Sequence, residues 1–252
     1  MDHRIIRAKT QLPVRDLIEI PYNDGVMTST LEPFGPKSYM ANVKAMANPH
    51  AHPQYCTQVN FRPASTGESV AIASYMFGDE ETFKLKETVF NPNWLQAGRI
   101  VRTQDGVWTN PKGQFNEDTM KRLIVPGKKV GGIYLLNRNT AFVPYESFKT
   151  GAQSHDEFLK LGLARAIEHT LKPKAEKLEA IANNRVYPNG VLVWGFESTS
   201  EPTERVLGLD SGRNLVGSRL IVDGDSWNAN NIGYAFGVLD ASTSESASET
   251  QK

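Results

Sequence analysis

The chain is 252 residues long, with 28 lysines and arginines against 28 aspartates and glutamates, so its formal net charge is zero. A charged fraction of 22%, with 20 glycines and 14 prolines, excludes a supercharged disordered chain, a collagen-like repeat and a Gly/Pro-driven low-complexity polymer. The neutral balance also removes the bulk attraction that holds a basic protein to nucleic acid or to an anionic membrane.

Near the start, Leu12, Val14, Leu17, Ile18 and Ile20 read as an edge strand, or as an arm through which a homo-oligomer would form. The basic opening is followed by no apolar run of signal-peptide length. The longest apolar runs fall far short of the ~20 residues of a membrane helix. With one cysteine, Cys56, no intrachain disulfide is available, which fits a soluble protein of the reducing cytoplasm.

After Gly35-Pro36, residues Tyr39, Met40, Val43, Met46 and Ala47 recur at helical spacing, with the proline suited to the first turn and Asn48-Pro49 as the stop. Ser65-x-x-Glu68 is a capping box, in which serine and glutamate satisfy each other's free N–H groups. Residues 70–77 behind it are apolar nearly all round, which predicts a helix buried on most sides and stopped by Gly78. Residues 99–103 and 107–110 flank Asp105-Gly106, a dipeptide suited to a hairpin turn. A short helix is expected from an Asn116 cap through Met120, Leu123 and Ile124. Residues 132–136 and 140–143 then flank Asn137-Arg138-Asn139, a second hairpin signal.

A second capping box, Ser154-x-x-Glu157, opens the longest amphipathic pattern, with Leu159, Leu163, Ala166, Ile167 and Thr170 on one face. Pro173 interrupts it. A further helix restarts there with Ala175, Leu178, Ile181 and Ala182 inward and Asn183-Asn184 as its cap, so the two read as one scaffold kinked at the proline. Residues 191–196, 205–209, 219–222 and 234–239 add strands. Residues 241–252, ASTSESASETQK, hold no large apolar side chain and read as a disordered tail behind one globular domain of residues 1–240. Consecutive hairpins imply mostly antiparallel pairing, and helices segregated from strands imply an α+β fold, its sheet covered by about five helices on one face.

His50-Ala51-His52-x-x-x-Cys56 is the densest set of metal-capable side chains, and imidazole with thiolate suits zinc. Its spacing matches no zinc motif, and the neighbouring prolines place it in a loop where polar residues are expected anyway. Arg165, Glu168 and His169 are the acid–base candidate: histidine titrates near neutrality, a carboxylate can orient it, and a guanidinium can hold an anion. The helical projection sets these three opposite the apolar stripe, where a solvated face of ion pairs explains them equally.

Asp223-Gly224-Asp225-Ser226-Trp227-Asn228 opens like a calcium loop, but Trp227 takes a ligand position and no glutamate closes it, so it reads as a turn. The run Pro126-Gly127-Lys128-Lys129-Val130-Gly131-Gly132 lacks the order of a phosphate loop, and Gly208-Leu209-Asp210-Ser211-Gly212 puts its serine one place late for a nucleophile elbow. Lys121, Arg122, Lys128 and Lys129, followed by Tyr134 and Tyr145, combine cations with aromatics as single-stranded nucleic-acid sites do. Glu117, Asp118 and the zero net charge oppose that reading. Trp94, Trp108, Trp194 and Trp227 adjoin strands and read as packing residues.

These readings favour a non-catalytic binding or accessory protein, because no catalytic motif passes its spacing test. A hydrolase or transferase built on His50, His52 and Cys56 or on Arg165, Glu168 and His169 comes second, and weak single-stranded nucleic-acid binding third. No cofactor is specified by any motif.

Overall fold

The strand signals assemble into two sheets in the computed structural model, which describes residues 4–6, 17–23, 25–49, 60–78, 89–90, 93–124, 129–183, 185–211, 218–226 and 232–239. His50, His52, Cys56, Leu12, Val14, Lys128, Trp227 and residues 241–252 lie outside these. The smaller sheet joins β1 (Arg4–Ile6), β2 (Leu17–Tyr22), β3 (Gly25–Thr30), β15 (Gly237–Val238) and β5 (Arg62–Pro63), in that order. Alternation in β2 buries Ile18, Ile20 and Tyr22 and leaves the residues between them more exposed, as a strand with one core face requires.

The larger, ten-stranded sheet runs in the order β10 (Gly151–Gln153), β11 (Val191–Trp194), β13 (Leu220–Ser226), β12 (Thr203–Ser211), β6 (Trp94–Arg102), β7 (Gly106–Thr109), β9 (Ala141–Pro144), β8 (Tyr134–Leu135). β14 (Gly233–Ala235) adds to β6, and β4 (Phe34–Lys37) to β14. The 137–139 turn joins β8 to β9 as its sequence predicts. β6 and β7 form the other expected hairpin, but they turn at Gln104 and Asp105, with Gly106 already in β7 and neither Asp105 nor Gly106 at positive φ. Two pairs, β11 with β13 and β14 with β6, are parallel, and the other described pairs are antiparallel. Residues 223–226 continue β13 to Ser226 rather than forming the turn their Asp and Gly content suggested.

Six α-helices complete the α+β fold among the described residues: α1 (Tyr39–Ala47), α2 (Thr66–Gly78), α3 (Glu117–Lys121), α4 (His155–Lys160), α5 (Gly162–Glu168) and α6 (Glu176–Ile181). Pro36 sits in β4 rather than in a first helical turn, and Ser38 caps α1 by accepting the Ala41 N–H at 3.4 Å. The α2 capping box forms as predicted, with the Ser65 N–H donating to Glu68 Oε2 at 2.8 Å. Arg62 adds two bonds of 2.7 Å to the same carboxylate. α3 stops at Lys121, short of the expected Ile124, and leaves Leu123 exposed.

The predicted long helix is two. Leu161 takes an extended backbone between α4 and α5, and His169 ends α5 in the left-handed region, well before Pro173. The break re-aims α5 so that all seven of its residues are buried, packed against α2, β9 and α6. Packing from several sides has overridden a local pattern that described only one face.

The main core draws on both sheets, from Ile18 and Tyr22 to Leu95, Leu209, Val222, Phe236 and Val238, with α2, α5 and α6 contributing to it. Helices are not confined to that side. On the opposite, outer face of the large sheet, α1 reaches Gln96 and the Gly233 carbonyl through Asn42 (2.8 and 2.9 Å). Met120 of α3 packs with Phe115 and Ile124 over Trp108 and Phe142. α1 packs chiefly on β4, β14 and β5. No helix among the described residues is long and apolar enough to cross a membrane.

Candidate functional site

Arg165, Glu168 and His169 are buried at 3%, 5% and 8% exposure, not solvated as the helical projection implied. Each binds a different stretch of backbone. Arg165 donates to the carbonyls of Gly131 and Leu171. Glu168 Oε2 accepts the Leu178 N–H at 2.9 Å and so caps the first turn of α6. His169 Nε2 lies 2.7 Å from the Asn137 carbonyl, which can only accept, so Nε2 carries the proton and Nδ1 is left bare and unpartnered. Burial pushes the Glu168 pKa up and the His169 pKa down, favouring the neutral form of both. The three side chains diverge to pin α5 in place.

The basic cluster is largely neutralised where it is described. Lys121 pairs with Asp105 at 2.8 Å and Glu117 at 3.0 Å, and Lys129 with Glu146 at 2.9 Å. A cleft of about 330 Å³ between α4 and α6 is lined in part by Asp156, Lys174 and Glu179. Its charges also satisfy one another, Lys174 binding Glu179 at 2.6 Å. Among the described residues no three His, Cys, Asp or Glu side chains are grouped to hold a metal.

A carboxylate without a cationic partner among the described residues, Asp210, lies instead on the outer face of the large sheet. Alternation sends Val191, Val193, Leu209, Leu220, Val222 and Leu95 into the core and their strand neighbours outward. One outward row runs Trp194–Asp223–Gly208–Gln96 across β11, β13, β12 and β6. The next runs Leu192–Ile221–Asp210. Trp94 begins β6 beside this second row, and its indole leans over Gly208, where a Cβ would stand 3.1 Å from Trp94 Cε3. Trp194 is 55% exposed, whereas Leu192, Ile221, Asp210 and Trp94 are half-buried.

Two carboxylates are thus set into a surface of tryptophan and aliphatic side chains. Asp223, 2% exposed, accepts the Asp225 N–H at 2.7 Å and the Ser226 hydroxyl at 2.9 Å. Asp225 beyond it is held by Arg102 at 2.8 Å and Arg205 at 3.0 Å. Asp210 has no cationic partner among the described residues. Burial, with the Asp223 charge adding to it, pushes its pKa up to about 6, against a smaller pull from the Ser211 N–H. Burial raises Asp223 too, against its two hydrogen bonds and the nearby Arg102 charge. Indole faces attract cations, and a cation would relieve the strain of both carboxylates.

No protein-family model, curated protein or solved structure matches the chain.

In the linear sequence Trp94 and Trp194 read as packing, Asp210 belongs to a failed nucleophile motif, and Asp223 opens a calcium-like run that reads as a turn. Trp108 does pack, with no exposure at all, but Trp194 does not. The available signal was the alternation Val191-Leu192-Val193-Trp194 and Leu207-Gly208-Leu209-Asp210. It puts Trp194 and Asp210 on the side away from the valines and leucines.

Proposed function

We propose that the protein is a non-catalytic binding protein and that the outer face of β11, β13, β12 and β6 binds an organic cation: an ammonium, a quaternary ammonium or a guanidinium. The observation that carries this reading is Asp210, half-buried beside Trp94 and without a cationic partner among the described residues, on the face where Trp194 stands exposed and burial also raises Asp223. A cation–π contact is worth roughly 0.5–2 kcal/mol depending on desolvation, and a charge-assisted hydrogen bond to Asp210 adds direction. An anionic ligand such as nucleic acid would meet two carboxylates at this face, which disfavours it.

The test is a titration of the full chain with tetramethylammonium, n-butylamine and ethylguanidine, followed by tryptophan fluorescence and by indole N–H shifts. Uncharged tert-butanol and glucose serve as controls. Binding of the cations, weakened by salt and by Asp210→Asn, is the expected result. Equal response to the uncharged controls, or no response to any cation, overturns it.

A further inference from the structure

The outer face offers two cation positions rather than one, and an apolar track joins them. Asp210 with Trp94 forms the first. Trp194, directly across from Asp223 in the parallel pair, forms the second, where the indole is open to solvent above a buried carboxylate. Ile221 pairs with Asp210 on one side and with Leu192 on the other, and Leu192 shares β11 with Trp194, so the two half-buried aliphatics lead from one position to the other. Trp194 and Asp210 are two strands and two residues apart, about 12 Å by the spacings of a sheet. One ammonium group cannot occupy both positions.

Resting on the cation-binding reading above, we propose that the ligand is a linear aliphatic polyamine. Its terminal ammonium groups sit at Asp210/Trp94 and at Trp194/Asp223, and its methylenes lie along Leu192 and Ile221. The complementarity is threefold: separated positive charges meet separated negative ones, cations meet indole faces, and an uncharged methylene stretch meets aliphatic side chains. A globular partner is less suited, because both carboxylates lie at or below the level of the surrounding indoles and aliphatics. A slender chain can lie between those side chains.

The experiment is calorimetric titration of the full chain with n-butylamine, putrescine, spermidine and spermine, repeated with a trilysine peptide and with two variants. Spermidine or spermine should bind at least about ten-fold tighter than n-butylamine, since a second cation–aromatic contact contributes up to about 2 kcal/mol. Trp194→Ala should abolish that gain and bring spermidine down to the affinity of n-butylamine, while Asp210→Asn should weaken every amine. If n-butylamine binds as tightly as spermidine, the two-point ligand is wrong and the single cation site stands. If trilysine binds tighter than spermine, the ligand is a basic peptide and this proposal falls. If no amine binds, the cation-binding reading itself fails.

Discussion

Glu168 and Leu178 are joined across the gap between two helices, a carboxylate at the end of α5 accepting a backbone N–H in the first turn of α6 at 2.9 Å. The bond holds α6 to α5 where the intervening residues are not helical. Because burial raises the Glu168 pKa above its ordinary 4.5, the folded state binds this proton more tightly than the unfolded state does. The contribution of this group to stability is therefore most favourable below about 4.5 and declines as pH rises through the raised value. Glu168→Gln keeps an acceptor without the charge and should flatten this dependence. Glu168→Ala leaves the buried N–H unpaired and should cost about 1–3 kcal/mol. Urea unfolding of the three proteins across the acid range measures both effects.

Glu68 shows the opposite sign. Burial alone would raise its pKa, but two bonds from Arg62, the Arg62 charge and the Ser65 N–H outweigh burial and hold it below the ordinary value. Stability from this group is present above about 4.5 and is lost as pH falls through the lowered value. Glu68→Ala strips the partner from Arg62 and the cap from α2 together. With Arg62 a third exposed, a loss of about 1–3 kcal/mol is expected, read as a lower urea midpoint at neutral pH and a smaller difference in acid.

Asp210 should titrate near 6 in a carboxyl-detected NMR experiment. Its ordinary value is 3.8, so ionisation costs the folded state stability as pH rises from 3.8 through about 6. Asp210→Asn should be as stable as the parent in acid and more stable above neutrality, while binding amines more weakly. A variant that is less stable at every pH would show that Asp210 is a structural residue.

Gly131 adopts φ +57°, and a methyl group there would fall inside the Arg165 guanidinium. Gly131→Ala should therefore cost more than about 1 kcal/mol. Arg165→Ala removes the obstacle along with its own bonds, so the double variant should be less destabilised than the two single losses added together. Simple additivity in a double-mutant cycle would contradict the contact.

The tryptophans separate packing from surface. Trp108→Ala empties a fully buried site between Phe115 and Phe142 and should cost about 3–5 kcal/mol. Trp194→Ala, at an exposed position, should change stability by no more than about 0.5 kcal/mol and be felt in spermidine binding alone. Thermal melts of the two variants side by side provide the check.

Local grammar determined much of the chain by itself. The capping box at Ser65, the Ser154 and Asn116 caps, the hairpin of β6 and β7 and the α+β class were all legible, because each depends on residues a few positions apart; at Ser154 only half the box forms, the Glu157 carboxylate binding Lys149 instead. The single long helix before Pro173 was not. Its break at Leu161 comes from packing against α2, β9 and α6, which no window of the sequence contains. For the same reason Arg165, Glu168 and His169 read as a solvated acid–base set although all three are buried against backbone.

The candidate site was decided by tertiary structure alone. Trp194, Asp223, Gly208 and Gln96 are far apart along the chain, and only the register of four strands sets them in one row. The neutral sum of charges, legible at once in the sequence, concealed an imbalance visible only in three dimensions. Asp225 finds two arginines and Asp223 has two hydrogen-bond donors and the nearby Arg102 charge, while Asp210 has no cationic partner among the described residues. Composition counts charges, but burial and distance decide which of them remain unpaired.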